Sequence, residues 1–224
     1  MGKRLFALTA LCILTASLAA AATITESMRN LAQSKDFIEI QPGGQIAIDL
    51  RYASTNNFTK TNLYGEFNKA YLHKDAALKL LKASENLGAS HPGHKLLILD
   101  ALRPRSVQRA LYAHVKGSAM QPYVADPDKG SVHNYGLAVD LTVIGPDSRE
   151  IDMGTGFDDF SPLSEPQKED GFLKNGRLSA AQIANRKILR NAMTKAGFIQ
   201  QPLEWWHYDA MLKKDIKSSY EIFE

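Results

Sequence analysis

Cysteine is almost absent from this 224-residue chain: the single one, Cys12, lies near the N-terminus. Beyond it there can be no disulfide, no thiolate metal ligand and no cysteine nucleophile, so any metal must be held by His, Asp and Glu. A surplus of charge is missing too. The 27 basic residues, without Lys3 and Arg4 of the N-terminal segment, leave 25 against 24 acidic ones, a formal charge of +1. That balance gives no reason to expect nucleic acid or an anionic membrane as partner. After the first segment there is no internal repeat, low-complexity tract or Pro/Ser-rich linker, which points to one domain. A hydrophobic content of 44% and a charged content of 23% are near the averages of folded soluble proteins, so disorder is not expected.

The first segment, MGKRLFALTALCILTASLAAAAT, has a positive start at Lys3 and Arg4, an apolar run from Leu5, and small residues at its end. That layout is a secretory signal peptide over 1–22, cleaved after Ala21 or Ala22. A membrane anchor is the alternative, but the run is short and no stop-transfer charges follow it. Leu11 before Cys12 is not the small residue that a lipoprotein signal requires. The expectation is an exported, periplasmic protein with its working domain over 23–224.

Along that domain, DFIEI and QIAIDL alternate as half-buried strands do, with PGG as a turn between them. DAALKLLKASENLG is expected to be a helix capped by Asp75 and ended by Gly88, with Ala77, Leu80 and Leu87 inward. KLLILD reads as a buried strand, RPRSVQRALYAHV as a helix and LAVDLTVI as a strand. SAAQIANRKILRNAMTKAG is a helix with Ser179 as cap, Ala184, Ile188 and Ala192 on its apolar face, and Gly197 past its end. FIQQPLEWWHYD closes as a strand-like segment. Helices and strands mix without a regular βαβ rhythm, which favours α+β over a doubly wound sheet.

Two stretches carry chemistry. In SVHNYGLAVD, Gly136 lets the backbone bend between His133 and the strand bearing Asp140; in EWWHYD, His207 follows Glu204 by three positions. Zinc takes nitrogen and oxygen ligands in tetrahedral geometry, and two histidines plus one carboxylate leave a position for water. Glu204 and His207 would face opposite ways in a regular strand, so a shared site needs a turn or bulge between them. A carboxylate beside the ion can take the water's proton and pass it to a leaving amine. Trp205 and Trp206 are read first as core or rim aromatics; the alternative is that they exclude water and, by desolvation, raise the Glu204 pKa. Arg103, where the KLLILD strand ends, is either a solvated loop residue, a carboxylate partner or, pointing inward, an oxyanion stabiliser. Arg105 is expected at the helix surface.

SVHNYGLAVD and EWWH resemble the S-x-H-x-x-G-x-A-x-D and E-x-W-H motifs of the zinc D-alanyl-D-alanine dipeptidases (peptidase family M15), which include the vancomycin-resistance dipeptidases. LRYASTNNFTK and IDMGTGFDDF are similar to two more segments of that family, and the likeness runs in order from about Leu50 to Tyr220. The resemblance implies a central antiparallel sheet flanked by helices, of the hedgehog and D-Ala-D-Ala carboxypeptidase type. It implies one zinc ion held by His133, Asp140 and His207, Glu204 as general base and acid, and Arg103 at the transition state. Ser131 falls on a substrate-contacting serine, and Tyr52 and Asp158 on the residues that meet the dipeptide's amino group. From the residues alone, Asp159 is an equal candidate for that last role, and Tyr52 an equal candidate for the core. The resistance enzymes act in the cytoplasm, whereas this chain carries an export signal, so degradation of D-Ala-D-Ala in wall turnover fits better than resistance. The alternatives are a D,D-carboxypeptidase trimming longer stem peptides, and a non-catalytic zinc-binding module for wall peptides.

Overall fold

The computed structural model describes residues 31–216 and 218–224, and the export segment expected at 1–22 lies outside them. Its strands are β1 (Phe37–Ile40), β2 (Ile46–Ile48), β3 (Ala70–His73), β4 (Lys95–Asp100), β5 (Ala138–Ile144), β6 (Ile199–Gln200) and β7 (His207–Asp209). Its helices are α1 (Lys74–Ser90), α2 (Arg105–Val115), α3 (Glu169–Lys174), α4 (Ala180–Lys195) and α5 (Lys213–Ile216). Five strands form the main sheet in the order β2-β4-β5-β7-β6, and β1 pairs with β3 in a small second sheet. Every pairing is antiparallel except β2 with β4. This is the expected mixed α+β domain with a sheet flanked by helices. The PGG turn does not join a hairpin: it sends β1 and β2 into different sheets.

β5 lies at the centre of the sheet and is buried on both faces, with only Ile144 partly exposed. Its Val139, Leu141 and Val143 join Leu80 and Leu87 of α1 and Leu96 and Ile98 of β4 in the main core. Each such side chain contributes about 1.5–3 kcal/mol on full burial. Asp140 interrupts the run at 3% exposure. An ionisable group there is costly unless charge or hydrogen bonds compensate it, so its neighbours must hold the explanation.

Three local expectations change. α1 is capped by His73, whose Nδ1 accepts from the Asp75 N–H at 3.3 Å, and the helix runs through Gly88 to Ser90. Asp75 therefore sits in the first turn, where its charge complements the helix dipole. α4 does have Ser179 as cap, in a capping box with Gln182. Its buried face, however, is Ile183, Arg186, Leu189, Ala192 and Met193, while Ala184 is exposed. A fully buried arginine inside the stripe disguised the phase. The closing segment is a β6–β7 hairpin rather than one strand, and its loop carries Glu204. Among the described residues no helix is long and apolar enough to cross a membrane.

Candidate active site

The site forms where β4, β5 and β7 lie side by side. Asp100 is the register partner of Asp140, and Asp140 that of His207, so three polar residues from distant parts of the chain stand in one row. His133 comes from a 3-10 turn, Val132–Tyr135, closed at its start by a capping box between Ser131 and Asn134. Gly136 ends that turn with φ +65°, a conformation glycine adopts without strain. A Cβ there would also lie 2.8 Å from the His73 backbone nitrogen and 2.8 Å from the Phe37 ring. Both reasons require glycine, and together they aim His133 at the row.

The three ligand-type atoms form a triangle. His133 Nε2 is 3.3 Å from Asp140 Oδ1, His207 Nδ1 is 3.0 Å from the same oxygen, and the two nitrogens are 3.2 Å apart. A tetrahedral ion with bonds of about 2.0–2.1 Å separates its ligands by about 3.3 Å. The opposite ring nitrogens are already committed: His133 Nδ1–H donates to the Ala101 carbonyl at 2.7 Å, and His207 Nε2–H to Asp209 Oδ1 at 2.8 Å. Both lone pairs are thereby turned inward, toward an Asp140 Oδ1 that is buried without a hydrogen-bond partner. Three such atoms facing one point call for positive charge between them, supplied by a proton on a ring nitrogen or by a metal ion, and the spacing fits a metal ion well. The electrostatics agree. Burial alone would raise Asp140, yet His133 and His207 hold it well below the usual carboxylate range. Burial alone would lower His207, yet Asp209 and Asp140 hold it well above the usual imidazole range.

Arg103 points inward, in the loop between β4 and α2. Its Nε donates to Asp100 Oδ2 at 2.8 Å, its Nη1 to Gln108 Oε1 at 2.8 Å, and its Nη2 lies 2.6 Å from Asp100 and 3.5 Å from Asp140. It thus separates two carboxylates that the sheet register sets opposite each other. Tyr64 donates to the other Asp100 oxygen at 2.6 Å, completing a buried network. Arg105 is not free surface: its Nε donates to the Pro127 carbonyl and its Nη1 pairs with Glu224.

Glu204 reaches the site from the hairpin loop, which resolves the conflict of facing with His207. Its Oε2 lies 3.7 Å from His207 Nδ1, beside the triangle rather than in it. Burial pushes its carboxyl up to about 7, with His207 opposing and Asp140 adding to the rise. Trp205 and Trp206 are both buried, packed edge to face at 5.3 Å. Trp206 is part of the wall around Glu204; Trp205 turns away and donates Nε1–H to Thr155 at 2.8 Å.

A cavity of about 250 Å³ is lined by Arg103, Ser131, His133, Asp140, Glu204 and His207, together with Tyr52 and Asp158. Tyr52 lies in a 3-10 turn, Arg51–Ala53. Its ring packs against Phe58, Tyr64 and Phe157, and its hydroxyl donates to Asp158 Oδ1 at 3.1 Å. Asp158 lines the cavity and Asp159 does not. Burial raises the Asp158 pKa well above the carboxylate range, reinforced by Asp140 and Glu204 and opposed by Arg103. Ser131 also lines the cavity, its Oγ accepting from the His133 N–H at 3.4 Å. The eight residues that the resemblance points to therefore line one cavity.

Several further residues complete the site. Asp209 orients His207 two positions along the same strand, a spacing that puts both on one face, and this signal was present in the HYD triplet. Asp100, the last residue of β4, anchors Arg103. Tyr123, Gln201 and Lys213 complete the cavity walls from loops and a short helix, with nothing in their local sequence to mark them.

A family model described as D-ala-D-ala dipeptidase matches residues 31–222. A D-alanyl-D-alanine dipeptidase of Escherichia coli is 33% identical over 164 residues, covering 73% of this chain and 78% of the relative. One from Enterococcus faecium is 32% identical over 180 residues, covering 71% of this chain and 83% of the relative. A third, from Streptomyces coelicolor, is 31% identical over 180 residues with the same two shares. With the His-Asp-His triangle already in place, the match over nearly all the described residues identifies the chain as a member of the D-ala-D-ala dipeptidase family of metallopeptidases.

Proposed function

We propose that this chain is an exported, zinc-dependent dipeptidase that hydrolyses D-Ala-D-Ala to free D-alanine. The observation that carries the reading is one small cavity that brings a metal triangle and Glu204 together with a buried carboxyl, Asp158, able to ionise against an amine. Pockets for drug-sized ligands run to about 300–1,000 Å³, so this one suits a dipeptide better than a stem peptide.

His133 Nε2, Asp140 Oδ1 and His207 Nδ1 would hold zinc, which when bound supplies Lewis acidity to the scissile carbonyl and acidifies water. Glu204 accepts a proton from the attacking water and later delivers it to the nitrogen of the leaving D-alanine. Its burial suits this double duty, because a carboxyl raised toward neutrality can both hold and release a proton. Arg103, kept rigid by Asp100 and Gln108, has an Nη1 hydrogen to spare for the oxygen that gains charge. Asp158, with an unpartnered Oδ2 and the Tyr52 hydroxyl on its other oxygen, meets the substrate's ammonium group. Ser131 borders the same space and contacts the dipeptide. The signal-like composition of residues 1–22 supports a periplasmic location, for which recovery of D-alanine from wall turnover is the fitting role; a purified mature chain starting at residue 22 or 23 checks the export.

The decisive assay measures D-alanine release by the zinc-loaded protein from D-Ala-D-Ala and from N-acetyl-D-Ala-D-Ala. Release from the free dipeptide alone is expected; comparable release from the blocked one would make the enzyme a carboxypeptidase, and none from either would leave a binding module. Glu204→Ala should retain zinc but lose about 10²–10⁴-fold in turnover, whereas His207→Ala should lose zinc. Near-wild-type activity in Glu204→Ala would rule the mechanism out.

A further inference from the structure

We propose that Arg186 is a positioning residue for amine recognition: with Asn185 it closes the neck of the loop that carries Asp158. The inference rests on the assignment of Asp158 to the substrate's ammonium group.

The loop leaves β5 and returns to α3, with Asp158 at its far end. Arg186, 1% exposed, reaches into it from α4. Its Nε donates to the Met153 carbonyl at 2.7 Å and its Nη2 to the Leu163 carbonyl at 3.1 Å. Those two carbonyls lie five residues before and five after Asp158. One guanidinium therefore ties both sides of the loop at equal distance from its functional residue. Asn185 Nδ2 donates to the Asp152 carbonyl at 2.8 Å, and Gln182, one turn earlier on the helix, holds the Asp152 carboxylate at 2.9 Å. The charge of Arg186 is met by Glu169 at 3.4 Å, a carboxylate shared with Arg190 at 2.7 Å.

The cost of this arrangement argues that it does something. A buried ion pair contributes little net stability compared with a well-packed apolar group. The position belongs to the apolar stripe of α4, where leucine would satisfy the core. Only a planar fork of donors can hold two carbonyls and a carboxylate at once. Asp158 sits at φ +61°, a left-handed conformation that aspartate adopts more readily than most residues with a Cβ but that still has to be held in place. The same clasp reaches the catalytic hairpin. The Arg186 guanidinium is 5.9 Å from the centre of the Trp205 ring, and Trp205 binds Thr155 inside the loop. α4 thus fixes Asp158 relative to the loop that carries Glu204, without touching the substrate.

The test compares wild type with Arg186→Lys, which keeps the charge opposite Glu169 but loses the fork. The readouts are kcat and KM for D-Ala-D-Ala, the inhibition constant of propionyl-D-alanine (the same molecule without its amine), and zinc content. The expected result is a KM higher by about tenfold or more, as displacement of a binding group by a fraction of an ångström produces, with kcat within about threefold. Zinc content and the inhibition constant of the amine-free analogue should stay at wild-type values. Equal weakening of both ligands, loss of zinc, or no change at all would overturn the proposal. Should Arg186→Lys fail to fold, hydrogen exchange of Asn185→Ala decides: faster exchange over 154–162 with β5 and β7 unchanged supports the clasp, and unchanged loop exchange overturns it. The exchange readout needs no activity, so a wild-type enzyme inactive on the dipeptide would sink the proposed function without deciding the clasp.

Discussion

Replacing Asp209 by asparagine probes the metal centre without touching a ligand. The Asp209 carboxylate accepts the Nε2–H of His207 at 2.8 Å in a site where both side chains are about 10% exposed. The variant keeps the size and an acceptor oxygen but removes the charge, and charge-assisted hydrogen bonds are roughly twice as strong as neutral ones. Outer partners of metal-bound histidines typically change metal affinity by about 10–100-fold, or about 1.4–2.7 kcal/mol. Competition with a chromophoric zinc chelator would measure the loss, with exposed Asp128→Asn as control. The sign of the pH dependence follows from the same contact. Asp209 raises the His207 pKa, so its removal also weakens proton competition for Nδ1. The affinity loss should therefore be largest at high pH, where protons do not compete, and shrink as pH falls through the raised His207 pKa. A folded Asp209→Asn protein binding zinc within about twofold of wild type at high pH would refute the claim that this contact tunes the ligand.

Gly136→Ala combines a positive φ with an overlap at 2.8 Å on backbone and on a core ring, so it should cost at least about 2 kcal/mol. At about 2–4 °C per kcal/mol for a chain of this size, a melting temperature lower by several degrees is expected in a thermal scan, and an unchanged one would contradict the geometry. Arg103→Lys keeps a cation but not the fork spanning Asp100 and Gln108; steady-state kinetics should show kcat falling by about 10²-fold with zinc content unchanged.

Much of this arrangement was legible in the chain. β4, α2 and β5 follow their apolar patterns directly, and Asp140 announced itself as a carboxylate inside a strand otherwise fit for a core. Glu204 and His207 could be joined only by supposing a turn between them, and the hairpin supplies it. What stayed hidden depends on long-range pairing. Nothing in KLLILD says that Asp100 will lie opposite Asp140, since register is a property of two strands. The α4 face was misplaced because pattern reading counts arginine as solvent-facing, whereas Arg186 finds buried acceptors in a loop over twenty residues away. Ala101 orients His133 through its backbone carbonyl, a contact to which side-chain identity is blind.

The row Asp100, Asp140, His207 would give the proposed metal a second consequence, as a proofreader of sheet assembly. Side chains alternate between the faces of a strand, so sliding β7 by one residue along β5 would turn His207 away and bring Tyr208 opposite Asp140. Hydrophobic burial discriminates poorly between the two pairings, because β5 is covered on both sides. A metal ion accepts only the correct one, and its binding free energy is added to that pairing alone. Residues inserted in the 201–206 loop would leave this check intact, while a single residue inserted within β7 would fail it.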